Sequence, residues 1–232
     1  RQVCCERIEI TVPEARQDEV LRVIAGLLAP DLPAVLWCRG AIWTRQQPFA
    51  RLRELLDRIV VDSSGIEDPG EALRALAALR QGRTRVSDLA WTRLTPWRET
   101  IANTVAASGL DDPDAVQQVE VRHACARPST AALYLAAWLL RTFRKAAPVF
   151  RSVPGEGQVA GVRIQADRIR LELERLAGET VRVSGCAGVQ ALHLPHANEE
   201  RSMSEELAIA GPDRFFEETL AVAAELAAIW QA

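Results

Sequence analysis

The chain has 232 residues, of which 48% are hydrophobic and 25% charged. These are ordinary globular proportions, and they exclude a disordered tract or a collagen-like fibre. One large domain or two small ones of this length can bury a core without disulfide or metal staples. The formal net charge is −3, so neither nucleic acid nor an anionic membrane is indicated as a partner. The longest charge-free apolar stretch, Pro128 to Leu140, falls short of the roughly 20 residues that cross a bilayer.

Of the 28 basic residues, Lys145 is the only lysine, a bias that reads as GC-rich bacterial coding rather than function. Cys4, Cys5, Cys38, Cys125 and Cys186 form an odd, scattered set with no C-x-x-C pair. That argues against a disulfide framework and for a reducing compartment, so a cytoplasmic protein is expected.

The first half alternates strand and helix signals. Ile8, Ile10 and Val12 alternate with polar residues and predict a half-buried strand. A helix follows from about Ala15 to Leu28, with Val20, Leu21, Ile24, Leu27 and Leu28 on one stripe. The apolar run Ala34–Trp37 predicts a strand covered on both faces. A helix from about Pro48 to Asp57 leads to a buried strand at Ile59–Val61, which ends in Asp62-Ser63-Ser64-Gly65. Another helix starts near Pro69 and closes before Gly82, and Thr95-Pro96 reads as N-cap and first helical position of the next, to about Ala107. Val116 to Val121 adds one more strand.

The second half changes character. Ser129 to about Lys145 is a strongly apolar helix. Ile169, Leu171 and Leu173, then Val181 and Val183, then Leu192 and Leu194 alternate with polar residues, and Ala177-Gly178-Glu179 is a turn. This predicts an antiparallel meander with one wet face. Ser202 and Glu205 form a capping box for a helix that Gly211-Pro212 ends, and an amphipathic helix runs from about Asp213 to Trp230. The expected architecture is therefore an α/β domain, residues 1–125, with a mostly parallel sheet and flanking helices. An α+β domain with an antiparallel meander follows in residues 126–232.

Candidate chemistry is sparse. His193-x-x-His196, with Cys186, His123 and Cys125 upstream, supplies metal-ligand types. His193 sits inside an alternating strand, however, and Pro195 separates the histidines, so a strand-end pair and no metal is expected. There is no phosphate-binding P-loop and no strand-flanked G-x-G-x-x-G, and Gly155-Glu156-Gly157 is a lone turn. No nucleophile elbow occurs, so neither a catalytic constellation nor a cofactor is expected. Ligands of parallel sheets bind outside the carboxyl ends of the strands. There Arg39, Asp62, Ser63, Ser64 and His123 form a candidate edge for a small ligand, a sugar phosphate or a nucleotide.

The densest segment is Asp88-Leu-Ala-Trp-Thr-Arg-Leu-Thr-Pro-Trp-Arg-Glu99, with two tryptophans and two arginines between Trp91 and Arg98. Such residues dominate interface hot spots, and they equally make internal aromatic–arginine clamps. Trp91, Arg93, Trp97, Arg98 and Glu99 are the candidate partner-binding residues.

This segment resembles the signature of the OpcA family, the glucose-6-phosphate dehydrogenase assembly proteins of cyanobacteria and actinobacteria. Cys5-Glu6-Arg7-Ile8 is similar to the family's C-E-R-I strand, Asp31 to Trp37 to its D-L-P-x-x-L-W stretch, and Arg58 to Ser64 to its R-I-V-x-D-S-S. Glu205-Glu206-Leu207 and Asp213 followed by Phe216 resemble its closing region. Trp37-Cys38 replaces a frequent Trp-Trp, and none of the five cysteines matches positions linked to thioredoxin control in cyanobacterial members. Family members carry a substantial portion ahead of the C-E-R-I strand. The chain is therefore expected to be a short homologue or to lack the leading segment. The resemblance implies a non-catalytic protein that binds glucose-6-phosphate dehydrogenase and promotes its active form.

Overall fold

The structure, a computed structural model, describes residues 8–11, 17–29, 31–44, 53–80, 84–155, 157–186, 188–196, 198–209 and 211–231. Cys4, Cys5 and the first half of the helix expected at 48–57 lie outside the described residues, and the chain turns at 54–55 rather than continuing that helix.

Three parallel strands, β1 (Val35–Trp37), β2 (Arg58–Val61) and β3 (Arg85–Asp88), lie side by side in that order. Central β2 is buried along its whole length, as its run of Ile and Val requires. Edge strand β1 departs from expectation: Val35 and Trp37, which share one face, are 42% and 37% exposed, while Leu36 on the other face is half-buried. Ile8 to Thr11 form no strand. Helix α1 (Gln17–Leu27) forms, but Leu27 on its apolar stripe stays 54% exposed, as does Val23 beside it at 48%. Helix α2 (Pro69–Leu79) connects β2 to β3. Asp68 caps it by accepting from the Gly70 and Glu71 amides, Pro69 pre-sets its first turn, and Leu73, Leu76 and Leu79 are buried. The short helix α3 (Leu89–Thr92) follows β3 directly, and α4 (Thr95–Ala106) follows it. Leu94, not Thr95, is the N-cap of α4, with no side-chain cap bond.

The second sheet has six strands in the order β5-β4-β6-β7-β8-β9: β4 (Val116–His123), β5 (Ala147–Ser152), β6 (Gly161–Ala166), β7 (Arg170–Arg175), β8 (Thr180–Gly185) and β9 (Gly188–His193). The expected antiparallel meander is present in β6 to β9. Strands β5 and β6 have no counterpart in the sequence reading. The strand expected in the first sheet, β4, instead pairs parallel with β5 and antiparallel with β6. The second sheet therefore spans residue 125. The β4–β5 crossover is α5 (Thr130–Thr142), capped by Ser129 and buried over most of its length. Gly161 is required where β6 meets β7, since a Cβ there would stand 2.6 Å from the Leu173 carbonyl oxygen.

Helix α6 (Glu199–Ala208) starts earlier than the capping box implied, with Asn198 as its cap. Helix α7 (Arg214–Gln231) packs on both α2 and α5 through Phe216, Leu220 and Ala223. It closes one continuous core against both sheets. The opposite face of the second sheet is a charged lattice. Glu120 is covered by Arg122, Arg151 and Arg163 at 2.8, 3.4 and 3.4 Å, and Glu172 pairs with Arg122 at 2.6 Å. Among the described residues no helix is long and apolar enough to cross a membrane.

Candidate functional site

Strands β2 and β3 end side by side, with Val61 opposite Asp88. Each is followed by a polar turn. Asp88 is buried, and its carboxylate accepts from the Ser63 amide (3.0 Å), the Ser63 hydroxyl (2.5 Å), the Ala90 amide (3.0 Å) and the Tyr134 hydroxyl (2.9 Å). Burial pushes its pKa up against those four donors. The chain's single tyrosine thus ties α5 to the ends of both strands, and burial with the adjacent carboxylate raises its own pKa well above the usual value.

The rest of the segment makes similar long-range bonds. The Trp91 indole donates to Asp213 at 3.0 Å, and its ring meets Tyr134 and Phe216 at centroid distances of 5.9 and 6.1 Å. Arg98 also stacks on Trp91, 3.7 Å from the ring centroid, and donates to Thr95. Burial lowers the Arg98 pKa. Thr92 donates to Glu206 at 2.9 Å and Thr95 to Glu205 at 2.7 Å. Glu206 also lies 3.8 Å from the buried Arg58, whose guanidinium donates to the Glu206 and Ile209 carbonyls. The two segments that resemble family motifs, Asp88–Glu99 and Glu205–Phe216, are therefore bonded to each other.

Arg93 grips Asp62 with two bonds of 2.8 and 2.7 Å and reaches the Ser64 hydroxyl at 3.2 Å. Burial opposes the Asp62 charge, but the Arg93 fork and the Ser64 donors outweigh it and hold its pKa below the usual range. Trp97 is buried, with the Arg175 guanidinium 5.3 Å from its ring centroid. Of the partner-binding candidates, Trp91 and Trp97 are thus internal, Arg93 and Arg98 are half-buried, and Glu99 is exposed.

The candidate ligand edge is brought together only in part. Asp62, Ser63 and Ser64 adjoin one another but commit their polar atoms to Arg93, Asp88 and each other. Arg39 instead pairs with Glu199 at 2.5 Å and lies over Trp37. His123 bonds the Cys125 carbonyl at 3.0 Å and lines a separate cleft of about 460 Å³ with Asp68, Phe150 and Trp230. Burial lowers the His123 pKa. His193 and His196 both lie near Glu179, at 3.6 and 3.4 Å. No group of three His, Cys, Asp or Glu side chains suited to a metal occurs among the described residues. Sequence reasoning missed Arg58, Tyr134 and Arg175. Tyr134 carried a signal, since a hydroxyl inside an apolar helix must find a partner.

A parallel sheet followed by a larger, mostly antiparallel one defines a fold shared with oxidoreductases. KijD10, a 3-ketoreductase from Actinomadura kijaniata in complex with NADP, superposes with a TM-score of 0.54 at 10% identity, covering 90% of this chain and 79% of that one. A dehydrogenase (MviM) from Clostridium difficile gives 0.56 at 11% identity, covering 90% and 80%. At such identity the likeness is one of fold.

The chain belongs to the OpcA family. Residues 1–78 match the N-terminal domain of the glucose-6-phosphate dehydrogenase subunit, and residues 84–220 match the C-terminal domain. It is 26% identical over 182 residues to OpcA of Synechocystis sp., covering 76% of this chain and 37% of that protein. It is likewise 24% identical over 182 residues to OpcA of Synechococcus elongatus, covering 76% and 40%. The chain thus spans about two fifths of the length of the curated relatives it matches.

Proposed function

We propose that the chain is a non-catalytic, cytoplasmic partner of glucose-6-phosphate dehydrogenase that binds the enzyme and promotes its active form. The reading is carried by the family match through both halves of the chain. Two features of the molecule support it. The strand-end groups where chemistry would be sought, Asp62, Ser63 and Asp88, are tied to one another and to Arg93 and Tyr134. Large apolar side chains are exposed within a short span, Val23, Leu27, Leu32, Val35 and Trp37 among them, and exposed apolar surface is characteristic of protein-binding faces. Trp91, Arg93, Trp97 and Arg98 then serve the interaction by fixing the two sheets against each other.

The test is co-purification with the cognate dehydrogenase and an activity assay with and without this chain. The expected result is a stable complex and a raised rate, while the isolated chain reduces no NADP with glucose 6-phosphate. Reduction by the chain alone would overturn the non-catalytic reading. Arg93→Ala and Arg98→Ala, checked for folding, should lower activation; unchanged activation by both would remove these residues from the function.

A further inference from the structure

Between the motif segment and the loops of the second sheet lies a cleft of about 730 Å³, within the range of small-molecule sites. Its lining is unusual for a chain in which acids outnumber bases: Arg93, Arg175 and His196 face it, and no acidic side chain lines it among the described residues. Arg93 shares its charge with Asp62. Arg175 is placed differently. It projects from the end of β7, with its guanidinium over the Trp97 ring. Among the described residues its guanidinium makes one hydrogen bond, a 3.5 Å contact to the Gly178 carbonyl at the limit of such a bond, and pairs with no carboxylate. Glu179 acts on it through space but accepts instead from the His196 amide. A guanidinium carries five donors in a planar fork that matches the oxygens of a phosphate. Here most of that fork meets no partner among the described residues, half-buried in a concave site. The amide of Gln158 is held by the Ser64 carbonyl at 2.9 Å, which leaves its own carbonyl oxygen for a hydroxyl. Leu94 and Pro195 supply apolar wall.

We propose that this cleft binds a small phosphate monoester with a sugar-sized body, and that Arg175 is its anion receptor. The dianion fits a site whose described lining offers the Arg93 and Arg175 guanidiniums and no carboxylate, and the volume leaves room for a polyhydroxylated body beside the phosphate. The site is distinct from the Arg39, Asp62, Ser63, Ser64 and His123 edge. It is a property of this chain alone, so it stands or fails separately from the dehydrogenase reading.

Calorimetric titration of the isolated chain at low ionic strength tests it, with glucose 6-phosphate, inorganic phosphate and glucose as probes. Glucose 6-phosphate should bind saturably, inorganic phosphate more weakly, and glucose not at all. Arg175→Ala should weaken glucose 6-phosphate at least tenfold, whereas Ser152→Ala, in the separate His123 cleft, should leave it unchanged. Should Arg175→Ala melt below the assay temperature, Arg175→Gln, which keeps a stem over Trp97, carries the same comparison. Absence of saturable binding to the parent, equal binding of glucose, or undiminished binding to a folded Arg175 variant would overturn the site. Equal affinity for inorganic phosphate would overturn the sugar-sized body.

Discussion

The seam between the two sheets and the outer face of the second sheet use the same chemistry, arginine against carboxylate, to opposite effect. In the seam, the Arg58 and Glu206 side chains are each 5% exposed, and Thr92 and two backbone carbonyls complete their bonding. On the outer face, Arg182 and Glu174 form a pair at 47% and 39% exposure. Water competes for the second pair and is excluded from the first. Removing one partner should therefore cost much in the seam and little outside. The number of ion pairs says less about what holds the molecule than where water can reach them.

The largest expected loss is for Trp91→Ala, which empties a three-ring cluster and strands the Asp213 acceptor. About 3–5 kcal/mol of unfolding free energy should disappear in urea titration; a loss under about 1 kcal/mol would mean the seam is not core. Arg58→Ala should follow at about 3 kcal/mol, because Glu206 is left charged and buried. Pairing Arg58→Met with Glu206→Leu should recover part of it, and failure to recover would locate the cost in the carbonyls that Arg58 also serves.

The histidine in the smaller cleft gives a lesser, pH-dependent effect. Burial lowers the His123 pKa from 6.5, so below about pH 6.5 the unfolded chain takes up a proton that the fold resists. Melting temperature should decline as pH falls from 7 to 5.5, and His123→Gln should flatten that slope. The Asp62 contribution has a different window. Its folded pKa is held below the usual 3.8, so it is present above that value and lost only as pH falls further through the folded pKa. Least of all, Glu174→Ala should cost under about 1 kcal/mol, shrinking further in high salt.

Much of this contrast was legible in the residues. Period and punctuation located β2, α2, α5, α7 and the β6–β9 meander except its first strand, and the density of Trp and Arg marked the motif. Two things were not. Val116–Val121 reads as a strand, but nothing local says which sheet it joins, and its neighbour at Ala147–Ser152 lacks a clean alternation. Gly161–Ala166 does alternate Val162, Ile164 and Ala166 with Arg163 and Gln165, a short signal that sequence reasoning missed. Nor does any spacing reveal that Thr92 meets Glu206 or that Tyr134 meets Asp88, since such pairings are decided by the packed fold.

Those pairings carry a consequence for how the chain acquires its shape. Trp91 bonds a residue 122 positions away, Thr92 one 114 away, and Arg58 one 151 away. Contacts so distant require loop closure before they return stability. During synthesis, β2, β3 and α3 leave the ribosome well before α6 and α7 exist to complete them. Until then Trp91 lacks Asp213 and Phe216, and the Arg58 guanidinium lacks its carboxylate and both carbonyls. The seam is thus the last part of the molecule to become itself, and a chain interrupted before residue 213 would hold the motif without the fold that gives it meaning.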